Sequence, residues 1–208
     1  MITHLHLIRH GETDWNAEGR IQGQSDSRLN ATGRAQAREL RGQLCLADFD
    51  GFFCSSSRRA RETMEILLNH QAAAVQCMDA LREIRLGPWE KQTKTDVISQ
   101  YPQAFEDFRK APDRFRLAGA ETFEDVRKRG VAAVRQIVSQ YPGSTVMVVS
   151  HGAIIKTILC HYANRPLRRL WDPPPLYNCA RSIVAVDGEG RGSILRVAGV
   201  DRAWLQEN

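Results

Sequence analysis

The chain has 208 residues, 42% of them hydrophobic and 25% charged, which excludes collagen-like and wholly disordered classes and points to one domain with an ordinary buried core. Lys and Arg number 29 against 24 Asp and Glu, a net charge of +5, and 24 of the 29 are arginine, whose planar fork suits phosphate or carboxylate. No basic run exceeds three residues and no nucleic-acid signature accompanies them, so neither nucleic acid nor, without an apolar run of about 18 residues, a membrane is expected as a partner.

The N-terminal MITHLHLIRHGETD lacks the basic-then-apolar build of a secretory signal, so a cytoplasmic protein is expected. Residues 3–8 alternate His4 and His6 with Leu5 and Leu7 and read as a strand. A polar loop rich in Gly, Asp and Ser follows, then a helix at about 32–46 with Asn30 or Thr32 as cap. Residues 49–54 form a short apolar strand, SSS a turn, and 59–68 a helix bearing Ala60, Thr63, Met64 and Leu67 on one face; a weak strand spans roughly 74–78.

From 84 to 120 the character changes. Gly87-Pro88, Tyr101-Pro102 and Ala111-Pro112 break the stretch into short helical pieces without apolar period, the pattern of an insertion over one face. Its prolines predict a lid that does not seal tightly. Regular structure resumes with a helix at about 122–141, an apolar strand TVMVVS at 145–150 of the kind buried on both faces, and a helix at 153–162. After a proline loop at 173–175, strands at 181–186 and 193–198 flank GEGRG as a hairpin. The expected architecture is a single three-layer α/β domain over 1–208: a largely parallel central sheet flanked by helices, with a small helical insertion at about 84–120.

The five cysteines (45, 54, 77, 160 and 179) contain no C-x-x-C and none has Arg six positions on. Buried free thiols are expected, and cysteine-nucleophile phosphatases are excluded. Asp48-Phe49-Asp50-Gly51 imitates the D-x-D-G of Mg²⁺-dependent aspartyl phosphatases, but there the Asp must end a strand, whereas here the apolar run follows the motif. His4-x-His6 has the spacing of a two-ligand metal face without an evident third ligand and reads as exposed strand.

Two histidines occupy the carboxyl ends of predicted strands, where ligands bind in open α/β sheets: His10 in LIRHG and His151 in VVSHG. Each precedes a glycine that lets backbone approach a ligand, Arg9 adds fixed charge, and His151 opens a helix whose first N–H groups suit an anion.

LIRHGETDWN resembles the signature of the histidine phosphatase superfamily, which contains cofactor-dependent phosphoglycerate mutases and small-molecule phosphatases. GRIQGQSDSRLNATG, SSSRRARET, LREIRLGPWE, GAETFEDV and VVSHG resemble its later segments in order. The resemblance implies that His10 takes a phosphoryl group as a phosphohistidine, that Arg9, Arg59 and His151 surround its oxygens, and that Glu83 is the general acid. It implies phosphate or substrate contacts at Asn16, Gln22 and Gly23, and with Gly152 beside His151. It places Arg58 and Arg61 in solvent. Departures are Arg85 and Lys91, where the family has an acid and a glycine, with Ala120 in a glycine place and Arg28 in a proline place. Arg85, Lys91, Arg109, Arg114 and Arg116 are candidates to grip a second anionic group. The expectation is a metal-independent phosphatase of a small phosphorylated metabolite, cofactor-free, monomeric or homodimeric; the alternatives are a phosphomutase and a non-catalytic phospho-ligand binder.

Overall fold

The structure, a computed structural model, describes residues 1–69 and 71–201. Its strands are β1 (Ile2–Arg9), β2 (Gly51–Ser55), β3 (Val75–Met78), β4 (Thr145–Ser150), β5 (Arg181–Asp187), β6 (Gly192–Val197) and β7 (Val200–Asp201). Its α-helices are α1 (Asp14–Ala17), α2 (Ala31–Arg41), α3 (Arg58–Leu68), α4 (Lys94–Gln100), α5 (Pro102–Lys110), α6 (Phe123–Gln140) and α7 (Gly152–Tyr162). The sheet order is β3-β2-β4-β1-β5-β6-β7. The first four positions are parallel, and the last three continue antiparallel from β1.

Period-2 alternation divides the core into two layers. Leu5, Leu7, Val146 and Val148 face α6 and α7, while Ile8, Met147 and Val149 face α2 and α3. Helix α7 is buried nearly all round between the sheet and α6, where a Cβ on Gly130 would come 3.0 Å from Ile158. Asn30, not Thr32, caps α2 by accepting from the Gly33 N–H at 2.7 Å. That helix stops at Arg41, short of the expected 46, because Gln43 and Leu44 close turns on Leu40 and Arg41 instead. Thr122–Asp125 and Thr93–Asp96 form capping boxes that start α6 and α4.

The proline-broken segment is anchored, not loose. Trp89, fully buried, packs among Tyr101, Phe105, Phe108 and Phe115 with ring centroids 5.3–6.3 Å away, and Phe123 and Trp171 extend the cluster. The expectation of uniformly buried thiols fails at Cys45 and Cys77, which are exposed, whereas Cys54, Cys160 and Cys179 are buried. His4 and His6 are half-buried, not exposed; the His6 ring packs edge-on against Phe49. No group of three metal-ligating side chains occurs among the described residues. Asp48 and Asp50 precede β2, at the opposite end of the strand from Ser55, and Asp50 accepts the Thr145 N–H at 2.8 Å.

Candidate active site

Three adjacent parallel strands end together. Arg9 of β1 is in register with Ser150 of β4, so the next residues, His10 and His151, lie side by side with ring centroids 5.1 Å apart. On the far side of β4, β2 ends at Ser55, and the turn after it starts α3, whose second residue is Arg59. Arg58 and Arg61 are exposed on that helix, as expected.

His10 is buried, with Nδ1 2.7 Å from the Gly11 carbonyl. That contact requires Nδ1 to carry the proton, which leaves the Nε2 lone pair free. Arg59 Nε donates to that Nε2 at 3.2 Å. Burial first, then the Arg59 and Arg9 charges, hold the imidazole well below its usual titration range, so the ring is neutral. Gly11 donates to Thr63 Oγ1 at 3.0 Å and tolerates no side chain, since a Cβ there would stand 2.6 Å from the Gly33 carbonyl.

Arg59 is 1% exposed and held by a loop it organises in return. Its Nη1 donates to the Ser25 carbonyl and Asp26 carboxylate at 2.9 and 3.1 Å, and its Nη2 to the Gly23 carbonyl at 2.8 Å. Glu90 fixes that loop from beneath. Its carboxylate accepts the N–H groups of Gln24, Ser25 and Leu86 and the Ser25 hydroxyl; although burial opposes them, these bonds hold its pKa below the ordinary value. Gly23 has φ +54°, and a Cβ there would meet the Glu90 carboxylate at 2.3 Å.

His151 is fully buried, and burial first, then Arg59 and His10, depress its pKa strongly. Its Nε2 lies 2.8 Å from Ser55 Oγ and 3.1 Å from Ser57 Oγ, while Nδ1 has no hydrogen-bond partner. Arg9 presents a similar pair of ends: Nη1 donates to the Leu176 carbonyl at 2.7 Å and Nε is unpartnered. Two buried polar nitrogens thus reach the strand ends unsatisfied.

The N-terminus of α7 does not stand open as the sequence implies. Glu83 occupies it, Oε2 accepting the Ala153 N–H at 3.1 Å and Oε1 the Ile154 N–H at 3.3 Å, a favourable place for a carboxylate at a helix start. Gly152 lies beside it: a Cβ there would stand in ordinary contact, 3.7 Å, with both Glu83 Oε2 and Arg9 Nε.

Arg9, His10, Arg59, Glu83 and Gly152 line one cavity of about 700 Å³, and Asn16, Gln22 and Gly23 line it too. Gln22, however, spends its amide internally, donating to Thr13 Oγ1 at 2.8 Å and accepting from Ser27 Oγ at 3.1 Å. The Asn16 side-chain oxygen accepts from the Thr13 N–H and hydroxyl in the capping box that starts α1 at Thr13. Of the five cations expected at a second anion, only Arg109 lines the cavity; Arg20 and Lys94 join it, facing Phe105, Phe108 and Trp171. Arg85, Lys91, Arg114 and Arg116 lie elsewhere, all exposed.

Sequence reasoning missed Ser55 and Ser57 as partners of His151. It also missed Arg129, which donates to the carbonyls of Ala80, Arg82 and Glu83 at 2.9, 2.5 and 3.0 Å and pairs with the Glu121 carboxylate. The only sequence signal was helical phase: Arg129 shares α6 with the core positions Val126 and Val131.

The profile of the histidine phosphatase superfamily (branch 1) matches residues 5–198. The chain belongs to that superfamily. Its fold resembles the solved structure of Bacillus stearothermophilus YhfR with a TM-score of 0.91 and 38% identity, over 95% of this chain and 97% of that one. Among sequence relatives, it is 32% identical over 158 residues to Bacillus subtilis "Uncharacterized phosphatase PhoE", covering 76% of each protein. It is 34% identical over 188 residues to a Klebsiella pneumoniae "Probable phosphoglycerate mutase GpmB", covering 86% of this chain and 83% of that protein. Within the superfamily pattern, Lys91 replaces a glycine and keeps its backbone, with φ +71°. Arg85 replaces an acid, but only its backbone is engaged, donating its N–H to Glu121 at 2.8 Å.

Proposed function

We propose that this protein is a metal-independent phosphomonoesterase that hydrolyses a small phosphorylated metabolite through a phosphohistidine at His10. The observation that carries the reading is the locked neutral tautomer of His10, with Nδ1 tied to Gly11 and Nε2 turned toward the Arg59 guanidinium.

In the first step the Nε2 lone pair attacks phosphorus and the phosphorus–oxygen bond to the leaving group breaks. Glu83, at the cavity wall beside Gly152, gives the departing alkoxide its proton. In the second step water attacks the phosphohistidine, Glu83 takes a proton from that water, and the nitrogen–phosphorus bond breaks to release orthophosphate and regenerate neutral His10. Charge on the transferring oxygens is met by the guanidiniums of Arg9 and Arg59 and by His151. With Nε2 of His151 held by Ser55 and Ser57, the otherwise unpartnered Nδ1 is the end left for the phosphoryl group. These groups supply the charge stabilisation that Mg²⁺ gives elsewhere.

Lys94 and Arg109 at the cavity wall favour substrates with a second anionic group, such as phosphoglycerates or phosphoserine, and the same cations keep a mutase as the second reading; Arg20 beside them is already paired with Glu18. Rapid-quench labelling with a ³²P-phosphomonoester should trap an acid-labile, base-stable phosphoenzyme that is lost in His10→Ala. Retention of label in that variant ends the proposal. Incubation with 3-phosphoglycerate and a trace of 2,3-bisphosphoglycerate separates the two readings, with phosphate release expected to outrun isomer formation.

A further inference from the structure

Cys54 of β2 and Cys77 of β3 are directly opposed in register on neighbouring parallel strands, and their Sγ atoms lie 3.5 Å apart. Adjacent strands run roughly 4.8 Å apart, inside the Cα separation of roughly 4.4–6.8 Å that a disulfide spans. Closing the sulfurs to about 2.05 Å therefore needs side-chain rotation and no strand displacement. Exposure divides the pair. Cys54 is 1% exposed, whereas Cys77 is open to solvent on the edge strand.

We propose that Cys54 and Cys77 are a reversible dithiol–disulfide clasp, oxidised by hydrogen peroxide or a related hydroperoxide and reopened by a thiol. The Cys77 thiol gives up its proton and its sulfur attacks peroxide; the oxygen–oxygen bond breaks, leaving a sulfenic acid on Cys77, and the departing hydroxide takes that proton and leaves as water. The Cys54 thiol then attacks the sulfenyl sulfur, the sulfur–oxygen bond breaks, and the Cys54 proton passes to the departing hydroxide, which leaves as a second water. Two thiols are oxidised and one peroxide is reduced to two waters. Burial, with the Cys77 contact, pushes the Cys54 thiol up, which keeps it from outside oxidant; its place in the resolving role rests on position, 3.5 Å from the Cys77 sulfur.

The bond closes the segment that carries α3. It ties the strand leading to Ser55, Ser57 and Arg59 to the strand leading to Glu83. Oxidation is therefore expected to tighten the fold around the site, and this inference stands independently of the reaction proposed above.

The test uses the full chain with Cys45→Ser, which removes the other exposed thiol. After hydrogen peroxide treatment and alkylation, unreduced peptide mapping should recover a Cys54–Cys77 peptide that has lost two hydrogens, with Tm raised by about 5 °C and both changes reversed by dithiothreitol. Adding Cys77→Ser should abolish the linked peptide and the Tm shift. Recovery of Cys77 as sulfinic acid, or as an intermolecular disulfide, with Cys54 still alkylatable overturns the proposal, and so does a linked peptide accompanied by a lowered Tm.

Discussion

Ser57 directs its hydroxyl to Nε2 of His151, 3.1 Å away, and not to the first turn of the helix it precedes, which has no side-chain cap. A serine at a helix start ordinarily stabilises the helix by about 1 kcal/mol through that cap. Here the hydroxyl orients an imidazole instead. Ser57→Ala should therefore lower kcat about 10-fold while leaving Tm within a few degrees, the pattern of a lost orienting partner. Steady-state kinetics beside a thermal melt checks it; a Tm collapse with kcat intact would show the hydroxyl to be structural.

Arg129 fixes the segment that presents Glu83, grasping the carbonyls of Ala80, Arg82 and Glu83. A lysine cannot reproduce that fork. Both Arg129→Lys and Glu83→Gln are expected to slow hydrolysis of an alkyl phosphate by about 100-fold and of p-nitrophenyl phosphate by less than about 10-fold, because a nitrophenolate leaves without a proton. Equal losses on the two substrates would remove Glu83 from the proton-donor role.

Three histidines are kept neutral by their surroundings: His6, lowered to about 4 by burial and Arg181, and the deeply buried His10 and His151. In the unfolded chain each titrates near about 6.5. Below that pH the unfolded state binds protons that the folded state refuses, so stability is full above about 6.5 and falls as the pH drops, with a slope of up to about 1.4 kcal/mol per pH unit for each fully buried ring and less for the half-buried, solvent-screened His6. Thermal melts between pH 7.5 and 5 should show this decline, and His6→Phe should reduce it. A flat profile would contradict the assignment.

Lys91 holds a left-handed backbone, φ +71°, that costs a side-chain-bearing residue about 1 kcal/mol. Its side chain is exposed and lies outside the cavity. Lys91→Gly is expected to raise Tm by a few degrees and leave kcat/KM unchanged, measured by melt and assay; a large loss of activity would give Lys91 a substrate role.

How much of this was legible in the sequence follows from the range of the forces involved. Helix α6 and strand β4 match their expected bounds to within a residue or two because Val126, Val134 and Val148 repeat at the period of their own element. His10 and His151 were legible because each directly follows a strand. The 101–110 stretch does carry a helical period, with Tyr101, Ala104, Phe105 and Phe108 at i, i+3, i+4 and i+7 packed on the core, but over so short a helix between two prolines it was overlooked. The occupation of the α7 start by Glu83, and of the Gln22 amide by Thr13 and Ser27, are tertiary pairings without local trace. Arg20 and Lys94 were passed over for Arg85 and Arg114 because charge alone does not say which way a side chain faces.

The ring cluster around Trp89 has a consequence for how this enzyme scaffold diversifies. Arg109 and the rings of Phe105 and Phe108 stand on α5, a helix with no fully buried residue, whereas His10, Arg59 and His151 are anchored in the sheet and its neighbouring helices. The cavity wall and the strand-end histidines therefore stand on different elements of one shared core. Under the reaction proposed above, exchanges along α5 would alter the cavity wall while the His10 nitrogen keeps its place at the end of β1, so a change of substrate would not first require a change of chemistry.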